Sequence, residues 1–485
     1  MIRLLIIFFL VFPGFFRLSG QNQKLLYDFT DIPQALIVNP GALAPHDWFV
    51  GIPMLSKMSF SVGSSGISAL DLFAADGIDI NEKIREKAVF GMDPSDDLTG
   101  TSQIELISGG FRGKNNPENY YSFGLYNELD GIGYWFGDIA ILAFEGNVVS
   151  LGKRFDLSHL NTRGEMLNVF HFGINRQVNG KLIVGGRAKI YSGIFSFQST
   201  GNDGYFVTTE GENNLLANTL NADMRLRTSG LESLRESLSE DNGNEISILT
   251  NHLLSRGFFG GDLGFGVDVG LTYYLNQQWV VTGSLLDVGF MLNYSDVSSY
   301  ELNGNATSEG VQIILPDALS DPDQEFWEDL VDEIEALVPF TEDQATYLSI
   351  RPIKLYGSMR YNFGKMSRIP SFCDCDYRYS SKFSSQVFDN SLGLQFFAVN
   401  RPRGPQMALT GFYQRRLGDS FSLRTTYTID KYSFSNLGLG MNLRLGPAEF
   451  YFLFDNLLAF QNLADTQFFH MTFGANILSR SGNKR

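Results

Sequence analysis

The residues able to do chemistry are few and scattered. The histidines are His46, His159, His171, His252 and His470, and a Ser/His pair activates a nucleophile only within hydrogen-bond reach. No local motif arranges such a pair: VGSSGIS at 62–68 lacks the Gly-x-Ser-x-Gly spacing of a nucleophile elbow. GGDLGFG at Gly260–Gly266 has the glycines of a phosphate loop, but it runs along an alternating strand pattern and opens no helix. Cys373 and Cys375 stand one residue apart. Two thiolates with no histidine nearby are too few for a metal. They form either a strained disulfide in an oxidising compartment or two loop cysteines without chemistry. Arg187, Lys189, Asp268, Lys354, Arg360, Arg424 and Arg444 lie on the polar faces of alternating segments, as do Glu105, Asp430, Glu449 and Asp455. Charges of both signs facing one interior pair across it to hold a plug, or line a wet pore. No enzyme, cofactor or metal is expected.

The elements that position these charges are strands. In GDLGFGVDVGLTYY, Leu263, Phe265, Val267, Val269 and Leu271 leave one face while Gly264, Gly266, Asp268, Gly270 and Thr272 leave the other. KLIVGGRAKIY, IKLYGSMRYNFG, SFSLRTTYTID, LGLGMNLRLG and FFHMTFGAN repeat the pattern. The segments run about 10 to 13 residues, the length a tilted strand needs to cross a bilayer. Short turns such as YLNQQ and RRLGDS alternate with long connections at 198–261 and 303–346. That asymmetry belongs to outer-membrane barrels. Aromatics make up 14% of the chain and glycines number 50, which suits girdles outside a wall and close packing within it. Tyr273, Tyr274 and Trp279 are expected in the girdle beside one turn.

The first residues, MIRLLIIFFLVFPGFFRLSG, read as a signal peptide over 1–20: Arg3, an apolar run too short for a comfortable spanning helix, then small residues. Nothing later resembles a spanning helix, so a membrane role falls to a closed barrel. The net charge of -16 argues against nucleic acid as a partner. The prediction is an all-β fold, a transmembrane antiparallel barrel of about 14 strands (range roughly 12–16) counted from Gln103. It carries an N-terminal lumenal hatch and helical extracellular loops. The helices are read at GLESLRESLSED and DPDQEFWEDLVDEIEALVP, where leucines and their neighbours recur at helical spacing. The expected division is 1–20 signal peptide, 21–100 hatch with room for first strands, 101–478 barrel and 479–485 periplasmic tail.

IVNPGALAP at 37–45 is similar to the Asn-Pro-Ala motif near the mature N-terminus of FadL-type fatty-acid channels and PorV-type secretion barrels, with Asn39 and Pro40 matching and Gly41 in place of alanine. SLLDVGFM at 284–291 and NLGLGMNLRLGPAEFYFLFDNLLAF at 436–460 resemble a Bacteroidota barrel family known only as a domain of unknown function. The resemblance implies an outer-membrane barrel of 14 strands with Asn39 and Pro40 in the hatch. It implies two functions: a FadL-like channel for small apolar solutes, or a PorV-like barrel whose extracellular loops dock partner proteins. Outer-membrane lipid is the remaining partner.

Overall fold

The structure, a computed structural model, describes residues 24–211, 216–240, 245–309, 340–368, 386–432, 436–457 and 462–479. Fourteen antiparallel strands close into one wall. β1 is broken into Trp48–Gly51 and Met58–Ser64; β2 is Asp97–Arg112, β3 Asn119–Tyr134, β4 Thr162–Gln177 and β5 Leu182–Ser199. β6 is Asp262–Tyr274, β7 Trp279–Asn293, β8 Lys354–Arg368, β9 Gln386–Arg401 and β10 Gly404–Leu417. β11 is Phe421–Ile429, β12 Asn436–Leu445, β13 Ala448–Phe454 and β14 Phe468–Leu478. Each pairs with its successor, and β14 returns to β1 with Phe49 opposite Leu478 and Met58 opposite Phe473. Closure leaves no unpaired edge for lipid to meet.

Thirteen of these strands begin at or beyond Asp97, and β1 supplies the fourteenth. Its two halves are too short to show alternation of spanning length, so a count from Gln103 misses it. No helix is long and apolar enough to cross a membrane among the described residues.

Alternation governs which way each side chain goes. Along β6, Phe265, Val267, Val269 and Leu271 are exposed on the outer face, while Gly266, Asp268 and Thr272 are buried inside. Tyr273 and Trp279 also point outward at the following turn, but Tyr274 does not join them. It shares the parity of Asp268 and packs inside against Ile183 and Val280. A bulge between β6 and β7 resets the phase: Val267 opposes Val288 and Val269 opposes Leu285, so Asp268 faces two residues. Asp287, with φ at 59°, turns inward there beside buried Leu286.

One short turn, between β9 and β10, lies at one end of the barrel; five lie at the opposite end, between β2 and β3, β4 and β5, β6 and β7, β10 and β11, and β12 and β13. The connection holding Cys373 and Cys375 also joins strands at this end and lies outside the described residues. The other end carries the longest connections. There Asp203–Glu210, Leu216–Ser229, Val297–Glu309 and Phe340–Asp343 extend the sheet beyond the wall. They join β5 through Ser196–Gln198. The leucine pattern after Gly230 forms a helix at Glu232–Glu240; the helix expected over 322–339 lies outside the described residues.

The N-terminal stretch divides three ways. Residues 24–47 fill the interior and are almost wholly buried, 48–64 build β1, and 65–96 sit over the long-loop end. That cap begins with a helix at Ala69–Phe73, whose Ser68 hydroxyl and backbone bond Asp71 and hold its carboxyl below the usual range.

Outer-face residues at mid-strand should meet lipid. Val269→Arg is expected to cost about 2–4 kcal/mol in a urea refolding titration into vesicles. Val149→Arg, exposed in the β3–β4 connection at the long-loop end, should stay within about 0.5 kcal/mol. Equal costs would refute the placement of β6 across the bilayer.

Candidate functional site

The hatch, residues 24–47, is the feature around which the lumen is organised. Its apolar side chains Leu25, Leu26, Tyr27, Phe29 and Ile32 form one core with Tyr356, Phe397, Tyr451 and Leu453 of the wall. Tyr27 stacks on Tyr356 with ring centres 4.8 Å apart. Burial of this kind contributes roughly 25 cal/mol per Å² of apolar surface, and it needs a wall whose inner face is itself partly aromatic.

Polar contacts then fix the hatch in register. Lys24 Nζ lies 2.8 Å from Asp430, Arg360 2.9 Å from Asp28, and Arg416 2.8 Å from Asp31. Gln34 Nε2 donates to Asn476 Oδ1 at 2.8 Å and to Glu105 at 3.1 Å. Arg187 donates to the carbonyls of Leu36 and Ile37, and Ser284 Oγ donates to Val38 O at 2.6 Å. Asn175 Nδ2 reaches both Pro40 O and Ala42 O at 2.8 Å. The hatch's backbone bonds within its own turns from Leu26 to Ala42, and carbonyls those turns leave over are met by wall side chains.

Asn39 works twice: its Oδ1 accepts from Gly41 N at 2.9 Å, making a tight turn, and its Nδ2 donates to Leu271 O at 3.3 Å. Pro40 and Gly41 consequently lie against the bare backbone of β5 and β6. A Cβ on Gly41 would collide with the backbone of Gly270 and Leu271, and one on Gly185 with Pro40. Gly41 therefore serves close approach. It is not a source of hatch mobility, and its φ is not in the left-handed range.

Above the hatch runs a belt of buried ion pairs. Lys189 Nζ lies 2.8 Å from Asp268 and 2.6 Å from Asp287, and Arg187 lies 3.3 Å from Asp268. Lys354 reaches Asp287 at 2.9 Å and Glu128 at 3.0 Å, while Arg351 pairs with Glu128 and Glu165. Arg444, half-buried near the short-turn end, lies 3.9 Å from Glu449 and 3.1 Å from His46. Arg424 differs. It is fully buried, has no hydrogen-bond partner among the described residues, and lies over Phe412 at 4.0 Å and Phe29 at 5.7 Å. Cation–π attraction stands in for a counter-charge there.

Besides its bulges, the wall carries one larger irregularity, in β1. Gly51 opposes Asn476 and Met58 opposes Phe473, so seven steps of β1 run beside three of β14. The surplus loops out: Met54, with φ at 62°, and Leu55 are exposed on the outer face, whereas Ser56 and Lys57 turn fully inward. Backbone bonds still cross the bulge, Ile52 N to Ala475 O at 3.1 Å and Ala475 N to Leu55 O at 2.8 Å. Lys57 Nζ donates inward to Gln103 Oε1. Gln103 and Ser59 line a cavity of about 30 Å³ shared with Ile37, Val38, Glu128 and Lys354. That is room for one water.

The model for the family of unknown function DUF5723 matches residues 40–455. The chain belongs to DUF5723. No curated protein matches its sequence. Among solved structures, the Pseudomonas putida toluene transporter TodX is 10% identical over 95% of this chain and 97% of its own, with a TM-score of 0.39. A Pseudomonas aeruginosa FadL homologue is 9% identical over 93% and 94%, with a TM-score of 0.38. The translocator domain of the autotransporter NalP from Neisseria meningitidis also matches, 8% identical over 89% and 88% at a TM-score of 0.30. Likenesses this shallow carry no argument about what a DUF5723 barrel does.

Two features of this DUF5723 lumen escape a reading of local motifs. Asp28, Asp31 and Gln34 are the hatch's anchors, yet they sit in a stretch without periodicity. Ser59 Oγ and His470 Nε2 are 3.1 Å apart although 411 residues separate them in sequence. Only the pairing of the first strand with the last reveals that contact.

The close approach at Gly41 makes a direct test. Gly41→Ala should destabilise the hatch by about 1–3 kcal/mol through overpacking. Faster hydrogen exchange over 34–45 is expected, with heat-modifiable barrel mobility retained. Unchanged exchange there would mean that the hatch does not rest on the β5–β6 backbone.

Proposed function

We propose that this chain is an outer-membrane, FadL-like channel for small apolar solutes. The observation that carries the reading is the surplus loop of β1. It puts Met54 and Leu55 on the outer face while Ser56 and Lys57 turn inward, where Lys57 Nζ donates to Gln103, a residue of the cavity's lining. An apolar solute partitions into lipid, so its economical route passes sideways through a wall, not along a water-filled bore. A wall strand with surplus residues is where such a route can open without breaking the neighbouring ladders. Exposed Phe73 in the cap, with Phe144 and Val149 in the β3–β4 connection, gives the outer end an apolar surface on which a solute can gather. Residues 1–20 act as a signal peptide that is removed, the termini lie in the periplasm, and the long connections lie outside the cell.

A second reading has its own observation. The hatch is tied to the wall by three ion pairs at 2.9 Å or less, those of Lys24, Arg360 and Arg416. A barrel that only docks partner proteins on its loops gains from such rigidity, and a gate does not.

Uptake separates the two. Proteoliposomes carrying the chain should take up a small aromatic hydrocarbon faster than empty vesicles. Deleting residues 34–45 should raise the rate, and Met54→Asp with Leu55→Asp should lower it by about an order of magnitude. Background uptake in the parent and the deletion, with the barrel folded, would leave the docking reading in its place.

Sidedness is tested in intact cells after Cys373 and Cys375 are changed to serine. A membrane-impermeant maleimide should label Val149→Cys and spare Gly418→Cys. The reverse pattern would invert the topology.

A further inference from the structure

The contact between Ser59 and His470 belongs to a longer chain of polar groups. His470 Nδ1 is bonded to Asp455 Oδ2, and its Nε2 faces Ser59 Oγ at 3.1 Å. Thr472 Oγ1 donates to Ser59 Oγ at 2.8 Å and lies 3.1 Å from His470 Nε2. The three residues come from different places: Ser59 from β1, Asp455 from the residue after β13, His470 from β14. All are buried. A carboxylate only accepts, so Asp455 fixes the imidazole proton on Nδ1 and leaves the Nε2 lone pair toward the serine. That is the connectivity of a Ser-His-Asp triad, which is recognised by geometry and not by order in the chain.

A triad needs space at the nucleophile; here a small cavity adjoins Ser59, and it must widen to admit an ester. Ser59 lines the cavity shared with Gln103 and Glu128. Across the β1–β2 ladder, Gln103 stands opposite Ser59 and Thr101 opposite Ser61, and both line the same cavity. Gln103 Oε1 already accepts from Lys57 Nζ, and Thr101 brings a hydroxyl to the same lining. The cavity has room for one water, the second reactant that hydrolysis requires.

We propose that Ser59, His470 and Asp455 form an acyl-transfer site for small apolar esters. Ser59 Oγ attacks the ester carbonyl as His470 Nε2 takes its proton. The C–O bond to the alcohol breaks, and His470 returns that proton to the departing alkoxide. Water then attacks the acyl-Ser59 ester, His470 accepts a proton from it and passes one back to Oγ, and a carboxylic acid leaves. One ester and one water become one acid and one alcohol. Ser59 and His470 are the catalytic residues; Asp455 is a positioning residue. The proposal does not depend on transport, so a barrel that carries solutes without reacting, or reacts without carrying, separates it from the channel reading.

The test uses the full chain in detergent micelles and a small alkyl fluorophosphonate. Ser59 Oγ displaces fluoride from phosphorus, and the adduct is located by peptide mass mapping. One adduct is expected, at Ser59, forming faster in Gly41→Ala, where the hatch is loosened. Labelling should vanish in Ser59→Ala, fall about a hundred-fold or more in His470→Asn, and persist in Ser61→Ala. Asp455→Asn should slow labelling and shift its pH profile, a change that a purely structural role would not produce. Absence of the adduct from both the parent and Gly41→Ala, with heat-modifiable mobility intact, overturns the proposal. Labelling that is indifferent to His470→Asn overturns it too, and in either case the three residues are polar filler of the wall.

Discussion

A charge buried inside a closed wall has to be met by another charge or by several hydrogen bonds, because the water that would otherwise solvate it has been displaced. Closure of the barrel is forced by lipid, which accepts no unpaired backbone. The inner face then inherits every polar side chain that alternation turns away from lipid. In this barrel those residues are divided between two partners. The upper belt satisfies itself: Lys189, Asp268, Asp287, Lys354 and Glu128 form one connected set. The lower lumen does not, and it is completed by the hatch, which brings Asp28 and Asp31 to Arg360 and Arg416. Removing one member of such a buried pair typically costs 3–5 kcal/mol, far more than an exposed pair contributes. The hatch is therefore part of the wall's electrostatics and not a separate stopper.

Departures from regular strand geometry place the remaining groups. The bulge at Asp268 breaks the alternation of β7 so that Leu286 and Asp287 are both buried, and Lys189 gains a second carboxylate as a result. The surplus loop in β1 sends Met54 and Leu55 outward and Lys57 inward. At Gly185 and Gly270 the wall offers bare backbone, and Asn39, Pro40 and Gly41 lie directly on it. The same glycines would be unremarked fillers in a barrel without a hatch.

These departures mark where the sequence could be read and where it could not. Facing along β6, β11 and β12 was legible, because strict alternation has one solution once one face meets lipid. The closed barrel followed from strand length and turn asymmetry. β1 was legible only as two short candidate strands within 21–100 and not as one wall strand, since its surplus residues interrupt the period. Tyr274 was read as a girdle residue because its aromatic type outweighed its parity. Charges such as Arg187 and Arg360 could be assigned to the inner face, but not their partners, since those lie on a hatch without periodicity. Ser59, Asp455 and His470 meet only because the barrel closes β14 against β1, and a contact 411 residues long leaves no local trace.

Closure also decides what the hatch can do. Its ion pairs lie on strands spread around the wall: Asp430 follows β11, Arg360 belongs to β8 and Arg416 to β10. Expelling the whole segment would break all of them together and expose a core that includes Leu25, Tyr27 and Phe29. The surplus loop of β1 is different. Four described backbone bonds tie it to β2 and β14, each contributing only about 0.5–1.5 kcal/mol net, and its outward side chains are apolar. Displacing that loop disturbs no ion pair of the hatch. Lys57 at the inner end of that loop donates to Gln103, which lines the same cavity as Ser59. Rigid hatch and yielding wall are then complementary. The first is held by ion pairs and an apolar core, and the second, at this loop, by a few backbone bonds.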